Sequence, residues 1–141
     1  MHYSKLKISS EATTRLRMLK QRTGLTPNLL CRIALMMSLE EGPLGNIPLP
    51  NEDGSEFNAY TLTGENTDLF FSLLRYVEDN QVEPLENKVL LDRMRGHIHR
   101  GVGAMSVRYK SSESLIANMA DSSGKCNSIK TSHNFTRCIP T

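Results

Sequence analysis

The sequence lacks any stretch approaching the roughly 20 uninterrupted apolar residues that a membrane-crossing helix needs. Its start, Met-His-Tyr-Ser-Lys, runs into a polar pattern rather than a signal-peptide core, so a cytoplasmic protein is expected. There is no Gly-x-x-x-x-Gly-Lys-Ser/Thr phosphate loop, which argues against ATP hydrolysis. Cysteine is scarce and odd in number. Cys31 lies in an apolar helical run, and Cys126 and Cys138 lie in a polar tail, a distribution that argues for reduced thiols rather than a disulfide framework. Low-complexity runs are also missing, and 141 residues with 38% hydrophobic content suffice for one compact domain.

What is present is charge, sorted along the chain. Residues 1–39 carry seven bases (Lys5, Lys7, Arg15, Arg17, Lys20, Arg22 and Arg32) against the single acid Glu11. Residues 40–92 reverse this, with twelve acids against Arg75 and Lys88, and residues 93–141 return to eight bases against Glu113 and Asp121. Such segregation suits a polyanion-binding face opposed by an acidic one. It also suits blocks that complement one another within the fold or across an oligomer, and charge alone leaves both readings open.

The local pattern is mainly α: a short N-terminal strand and about four helices. Tyr3 to Ser9 alternates, with Tyr3, Lys5 and Lys7 on one side and Leu6 and Ile8 on the other, as a half-buried strand does. Ser9-Ser10 supplies a cap, a helix follows over 11–23 with Ala12, Leu16 and Leu19 as its buried stripe, and Gly24 is placed to close it. Thr26 as N-cap and Pro27 at the first helical position open a second helix that ends at Glu41-Gly42-Pro43. Its run from Leu29 to Leu39 is apolar on nearly every face, which burial by a second subunit would explain.

Gly42 to Asn58 reads as a long connection and Phe57 to Leu62 as a brief strand. A third helix is expected over 67–79, with Leu69, Phe70, Leu73, Leu74 and Val77 facing inward. A fourth is expected from about Pro84 towards Arg100, with Leu85, Val89, Met94 and Ile98 inside. One or two weak helical turns fit Leu115 to Met119, and residues from about 122 onward are expected to be mobile. The division is a single domain over 1–105 and a polar, partly disordered tail over 106–141.

Strand, helix, tight turn and helix have the order of a ribbon-helix-helix unit, in which two chains pair their strands and so form an oligomer as they fold. In that geometry Tyr3, Lys5 and Lys7 face the major groove. Backbone N–H groups near Thr26 and Asn28 hold a phosphate, and Arg15, Arg17, Lys20 and Arg22 add phosphate contacts. The bland reading makes each of these bases a solvated residue; their concentration on a strand-helix-helix order favours the binding reading for the group.

Catalytic readings find less support. His97 and His99 lie two apart, so on a helix they point about 200° apart and cannot share a metal; structural hydrogen bonding, or phosphate contact beside Arg100, suits them better. Cys126, His133 and Cys138 lack the paired short spacing of a zinc site. The acids of 40–92 form no recognisable metal-binding set, and Glu52, Asp53 and Glu56 read as a solvated loop. No catalytic residue, cofactor or metal is expected. The acidic block reads either as a solubilising surface or as a docking face, with Glu78, Asp79, Glu83 and Glu86 as the residues to test.

The sequence itself is more specific than its pattern. Lys5-Leu6-Lys7-Ile8-Ser9 through Arg22-Thr23-Gly24-Leu25-Thr26-Pro27-Asn28, Leu29 to Glu41, Glu56-Phe57-Asn58-Ala59-Tyr60-Thr61-Leu62-Thr63-Gly64-Glu65 and His97-Ile98-His99-Arg100-Gly101-Val102 together resemble the DndE family of DNA phosphorothioation proteins. The resemblance covers about residues 3 to 105. It implies a small, non-catalytic DNA-binding member of the machinery that replaces a non-bridging phosphate oxygen of bacterial DNA with sulfur. It further implies assembly as a homo-oligomer, dimer or tetramer, on intact or nicked double-stranded DNA. The sulfur chemistry then belongs to a cysteine desulfurase and to DndC- and DndD-like partners. The rival reading is a scaffold for those partners; a further one is a ribbon-helix-helix regulator of its own operon.

Overall fold

A computed structural model describes residues 3–78, 86–109 and 116–117. The elements run β1 (Lys5–Lys7), α1 (Ser10–Thr23), α2 (Pro27–Glu41), β2 (Glu56–Asn58), α3 (Ala59–Leu62), a 3-10 turn (Gly64–Asn66), α4 (Thr67–Glu78) and α5 (Asn87–Arg108). The expected positions Leu85, Asp79 and Glu83, most of the Leu115–Met119 segment, the tail from residue 122 and both tail cysteines lie outside the described residues.

The first two helices start and stop where their caps dictate. Ser9 is extended (φ −71°, ψ 158°) and its hydroxyl accepts from Ala12 N at 3.0 Å, while Gly24 at φ 75° donates its N–H to Lys20 O at 2.8 Å. Thr26 caps α2 by accepting from Leu29 N, with Pro27 at the first position where its missing N–H costs nothing. Ala12, Leu16 and Leu19 are buried as their spacing requires.

α5 is the axis of the molecule. It packs most extensively on α2 and next on α1, with α4 and β1 also against it. A side chain at Gly101 would put its Cβ 2.0 Å from Ala34 O, so the two backbones approach as only glycine permits. Leu90, Met94, Ile98, Val102 and Met105 of α5 fill the centre with Leu30, Ala34 and Leu35 of α2 and Leu16 and Leu19 of α1. The helix therefore runs past Arg100, where the sequence pattern stops it, to Arg108.

This packing changes the account of α2. Leu30, Cys31, Ala34, Leu35 and Leu39 are buried within the same chain, and only Leu29 and Met36 remain among its exposed large apolar residues. A second subunit is not needed to cover most of the helix. Buried Cys31 is a free thiol, its pKa pushed up to about 12 by desolvation.

β1 likewise finds its partner inside the chain. It pairs antiparallel with β2 in the register Lys5↔Asn58, Leu6↔Phe57, Lys7↔Glu56. The strand-helix-helix order is present, but the ribbon is closed by residues 56–58 of the same molecule rather than by a second copy. The expected strand over 57–62 is a strand only as far as Asn58, whose side chain then caps α3 by accepting from Tyr60 N at 2.8 Å. On α4, Phe70 and Leu74 are buried and Leu73 and Val77 pack against the core as expected, while Leu69 is exposed and Phe71 is buried in its place.

Candidate nucleic-acid interface

Lys5 and Lys7 flank the buried Leu6 on β1 and both point outward. Lys5 Nζ makes an exposed ion pair with Glu56 Oε1 at 3.0 Å. Lys7, Arg17 and Lys20 are exposed and, among the described residues, make no ion pair. On α1, Arg17 and Lys20 occupy one side of the exposed arc and Arg15 and Arg22 the other, as their spacing at 100° per residue requires. Arg15 lies over Gly103 of α5 and pairs with Glu11 at 2.6 Å, and Arg22 donates to Ser106 O at 3.2 Å. Arg15 and Arg22 are thus partly engaged by their own chain.

Tyr3 does not join the outer face. It is 5% exposed, its hydroxyl is 2.7 Å from Thr63 Oγ1, and its ring meets Phe71 edge-on at 5.6 Å and 73°. The chain bends at Ser4, so the two-residue alternation that holds from Lys5 to Lys7 does not reach back to Tyr3. Burial raises the Tyr3 pKa, against the opposing influence of the Thr63 hydrogen bond and Arg32. Thr26 serves as the N-cap of α2, and beside it the half-buried Asn28 keeps Oδ1 shielded from water without a hydrogen-bond partner.

Arg100 also has an internal task. Nε donates to Ser38 Oγ at 2.7 Å and Nη2 to both Ser38 O and Gly42 O at 2.6 Å, so the guanidinium closes the C-terminus of α2. The same device recurs. Arg93 donates to Gly45 O at 3.1 Å, buried Arg95 to Pro50 O and Asn51 O, and Arg32 to Leu62 O at 2.5 Å and Thr61 O at 2.7 Å. These arginines fasten the 42–51 connection and α3 to the helical core.

The two histidines point to opposite sides of α5, as their spacing requires. His97 is fully buried, with Nδ1 2.8 Å from Ser38 Oγ and Nε2 2.6 Å from Glu78 Oε1. One proton arrangement satisfies every atom: Arg100 Nε donates to Ser38, Ser38 to Nδ1, and Nε2–H to Glu78, which also accepts from Leu44 N at 2.9 Å. Desolvation holds the His97 pKa below its ordinary value of 6.5, with the pull of Glu78 opposing and Arg100 and Arg93 reinforcing. His99 Nδ1 lies 2.6 Å from Ser9 Oγ and Nε2 3.8 Å from Glu11 Oε2.

Both sets have the residue types of a serine–histidine–carboxylate relay, and neither presents its nucleophile. Ser9 and Ser38 are each 1% exposed, Ser9 caps a helix and Ser38 already accepts from Arg100, so an incoming carbonyl has no approach. Glu78 is accordingly no member of a solvated acidic face. Among the described residues no cluster of three His, Cys, Asp or Glu side chains is placed to hold a metal, and no helix is long and apolar enough to cross a membrane.

Fold and site together define a small, mainly helical protein with exposed cations, unpaired among the described residues, on the first strand and first helix and also at Lys88 and Arg108 of α5. The chain belongs to the DndE family: the model of the DNA sulphur modification protein DndE matches residues 5–113. Among solved structures it is similar to DndE from Escherichia coli B7A, a protein involved in DNA phosphorothioation modification. Identity is 26%, the TM-score is 0.63, and the match covers 74% of this chain and 99% of that one. A crystallised DndE mutant shares the fold at 24% identity, with the same TM-score and coverage. Comparison with curated proteins finds no match.

Proposed function

We propose that this chain is the non-catalytic DNA-binding component of a bacterial DNA phosphorothioation system, acting in the cytoplasm as a homo-oligomer on duplex DNA, nicked duplex included. The single observation that carries the reading is the set Lys7, Arg17 and Lys20, exposed and without ion pairs among the described residues, with Lys5, on the same side of β1 as Lys7, in a weak surface pair. Cations left unneutralised by their own fold are available to release counterions from a phosphate backbone. Family membership supplies the DNA-modification setting, and the sulfur chemistry falls to DndC- and DndD-like partners. The exposed Leu29, Met36, Leu69 and Tyr76 leave apolar surface for assembly.

Electrophoretic mobility of intact and nicked duplexes across a salt series tests the reading. Binding that weakens steeply with salt and is lost when Lys5, Lys7, Arg17 and Lys20 are replaced by Ala supports it. Poor binding at low salt, or indifference to those four substitutions, refutes it.

A further inference from the structure

Tyr60 is 85% exposed, an unusual position for a side chain that could bury 150–250 Å². The backbone beneath it is firmly held without the ring's help. Asn58 Oδ1 accepts from Tyr60 N at 2.8 Å, Thr61 Oγ1 donates to Asn58 O at 3.0 Å, and Ala59 N donates to Ser4 O at 2.9 Å. Tyr60 borders an open cavity of about 390 Å³ whose other walls include Ser4, Lys5 and Asn58. Resting on the DNA-binding reading above, we infer that Tyr60 is a stacking platform for an unpaired nucleobase, with Lys5 holding the adjoining phosphate.

The pairing of groups carries the inference. A ring carried on a fixed backbone and open on its faces can stack any base, and a neighbouring ammonium holds the strand that carries it. The Lys5–Glu56 pair is exposed, so a phosphate displaces the carboxylate at small cost. The cavity's lining is mainly apolar, as the face of a base requires, with Ser4, Asn58 and Thr67 adding polar groups for a base edge. Tyr76, also exposed at 84%, borders a different cavity, with Leu39, Pro43, Arg75 and Val77.

The test uses the full chain and three labelled DNAs: an intact duplex, the same duplex with a short gap, and the gap strand alone, the gap carrying 2-aminopurine as a stacking reporter. Tyr60→Ala is expected to weaken gapped and single-stranded DNA by about fivefold or more, to leave intact duplex within about twofold, and to abolish quenching of the reporter. Tyr60→Phe should retain the ring's contribution. Unaltered gapped binding by Tyr60→Ala, equal losses on gapped and intact DNA, or failure of Tyr60→Phe overturns the stacking role. If the unaltered protein binds none of the three DNAs at low salt, the DNA-binding reading itself falls and the stacking role with it.

Discussion

The two basic regions of this chain look alike in composition and behave oppositely in the fold. On β1 and α1, Lys7, Arg17 and Lys20 stand in solvent; on α5, Arg93, Arg95 and Arg100 turn their guanidiniums onto carbonyl oxygens of the 42–51 connection and the end of α2. The lesson concerns what a positive charge is for. A planar fork with five donors can close a helix C-terminus and pin a loop at once where loop carbonyls lie within its reach, as they do for Arg93, Arg95 and Arg100; Arg17 and Arg108 make no such bonds and stand in solvent as the lysines do. Net charge per segment therefore overstates the surface open to a polyanion.

The comparison breaks most readily at the seam that positions α5. Gly101→Val drives a side chain into the Ala34 carbonyl and is expected to cost about 3 kcal/mol or more, read as loss of cooperative thermal unfolding or a steeply lowered Tm. Arg100→Ala comes next. Stranding Ser38 O, Gly42 O and the Ser38 hydroxyl should cost about 2–3 kcal/mol in denaturant unfolding, with little rescue by Arg100→Lys.

Replacing Lys7, Arg17 and Lys20 together by Ala should do the reverse. DNA affinity is expected to drop about tenfold or more, and the salt dependence to lose about one unit of slope per phosphate contact, while Tm stays put. Equal effects of the α1 and α5 substitutions on both measurements would erase the distinction between the two regions.

A smaller effect belongs to pH. The folded-state pKa of His97 lies below its unfolded value, so the unfolded chain binds the proton more readily. The stability contributed by neutral His97 is complete above about pH 6.5 and is lost as pH falls from there towards the lower folded pKa. Thermal midpoints measured from pH 8 to pH 5 should decline below about 6.5, and His97→Gln should flatten that decline from a lower starting stability. Smallest is Glu11→Ala, which removes an i,i+4 partner of Arg15 worth about 0.3–0.5 kcal/mol and should raise DNA affinity slightly by freeing a cation.

Local signals were legible where one or two residues decide the outcome. Ser9, Gly24 and Thr26-Pro27 define the ends of α1 and α2 because a cap answers to the backbone within a few residues of itself. The histidine pair was legible for the same reason, since a two-residue step on a helix separates side chains whatever surrounds them. Tyr3 was not, because the bend at Ser4 interrupts a strand that alternation extends past its end. The choice of Phe71 over Leu69 on α4 was not either: both are apolar, and the edge-on contact with Tyr3, 68 residues away in the chain, favours Phe71. Glu78 reads as one acid among twelve until Leu44 and His97 are seen to meet it.

The sequence by itself determined the mainly helical class, the caps, the strand-helix-helix order and membership of a family, all carried by contiguous residues. Only the tertiary structure decided which strand pairs with β1, what covers α2, and which arginines are tied to carbonyls. Those outcomes depend on partners brought together from 29 to 62 residues away, such as Arg32 with Thr61 and Leu62 or Arg100 with Ser38 and Gly42. A linear pattern records which side chains can donate, accept or be buried; the fold settles which of their possible partners are within reach.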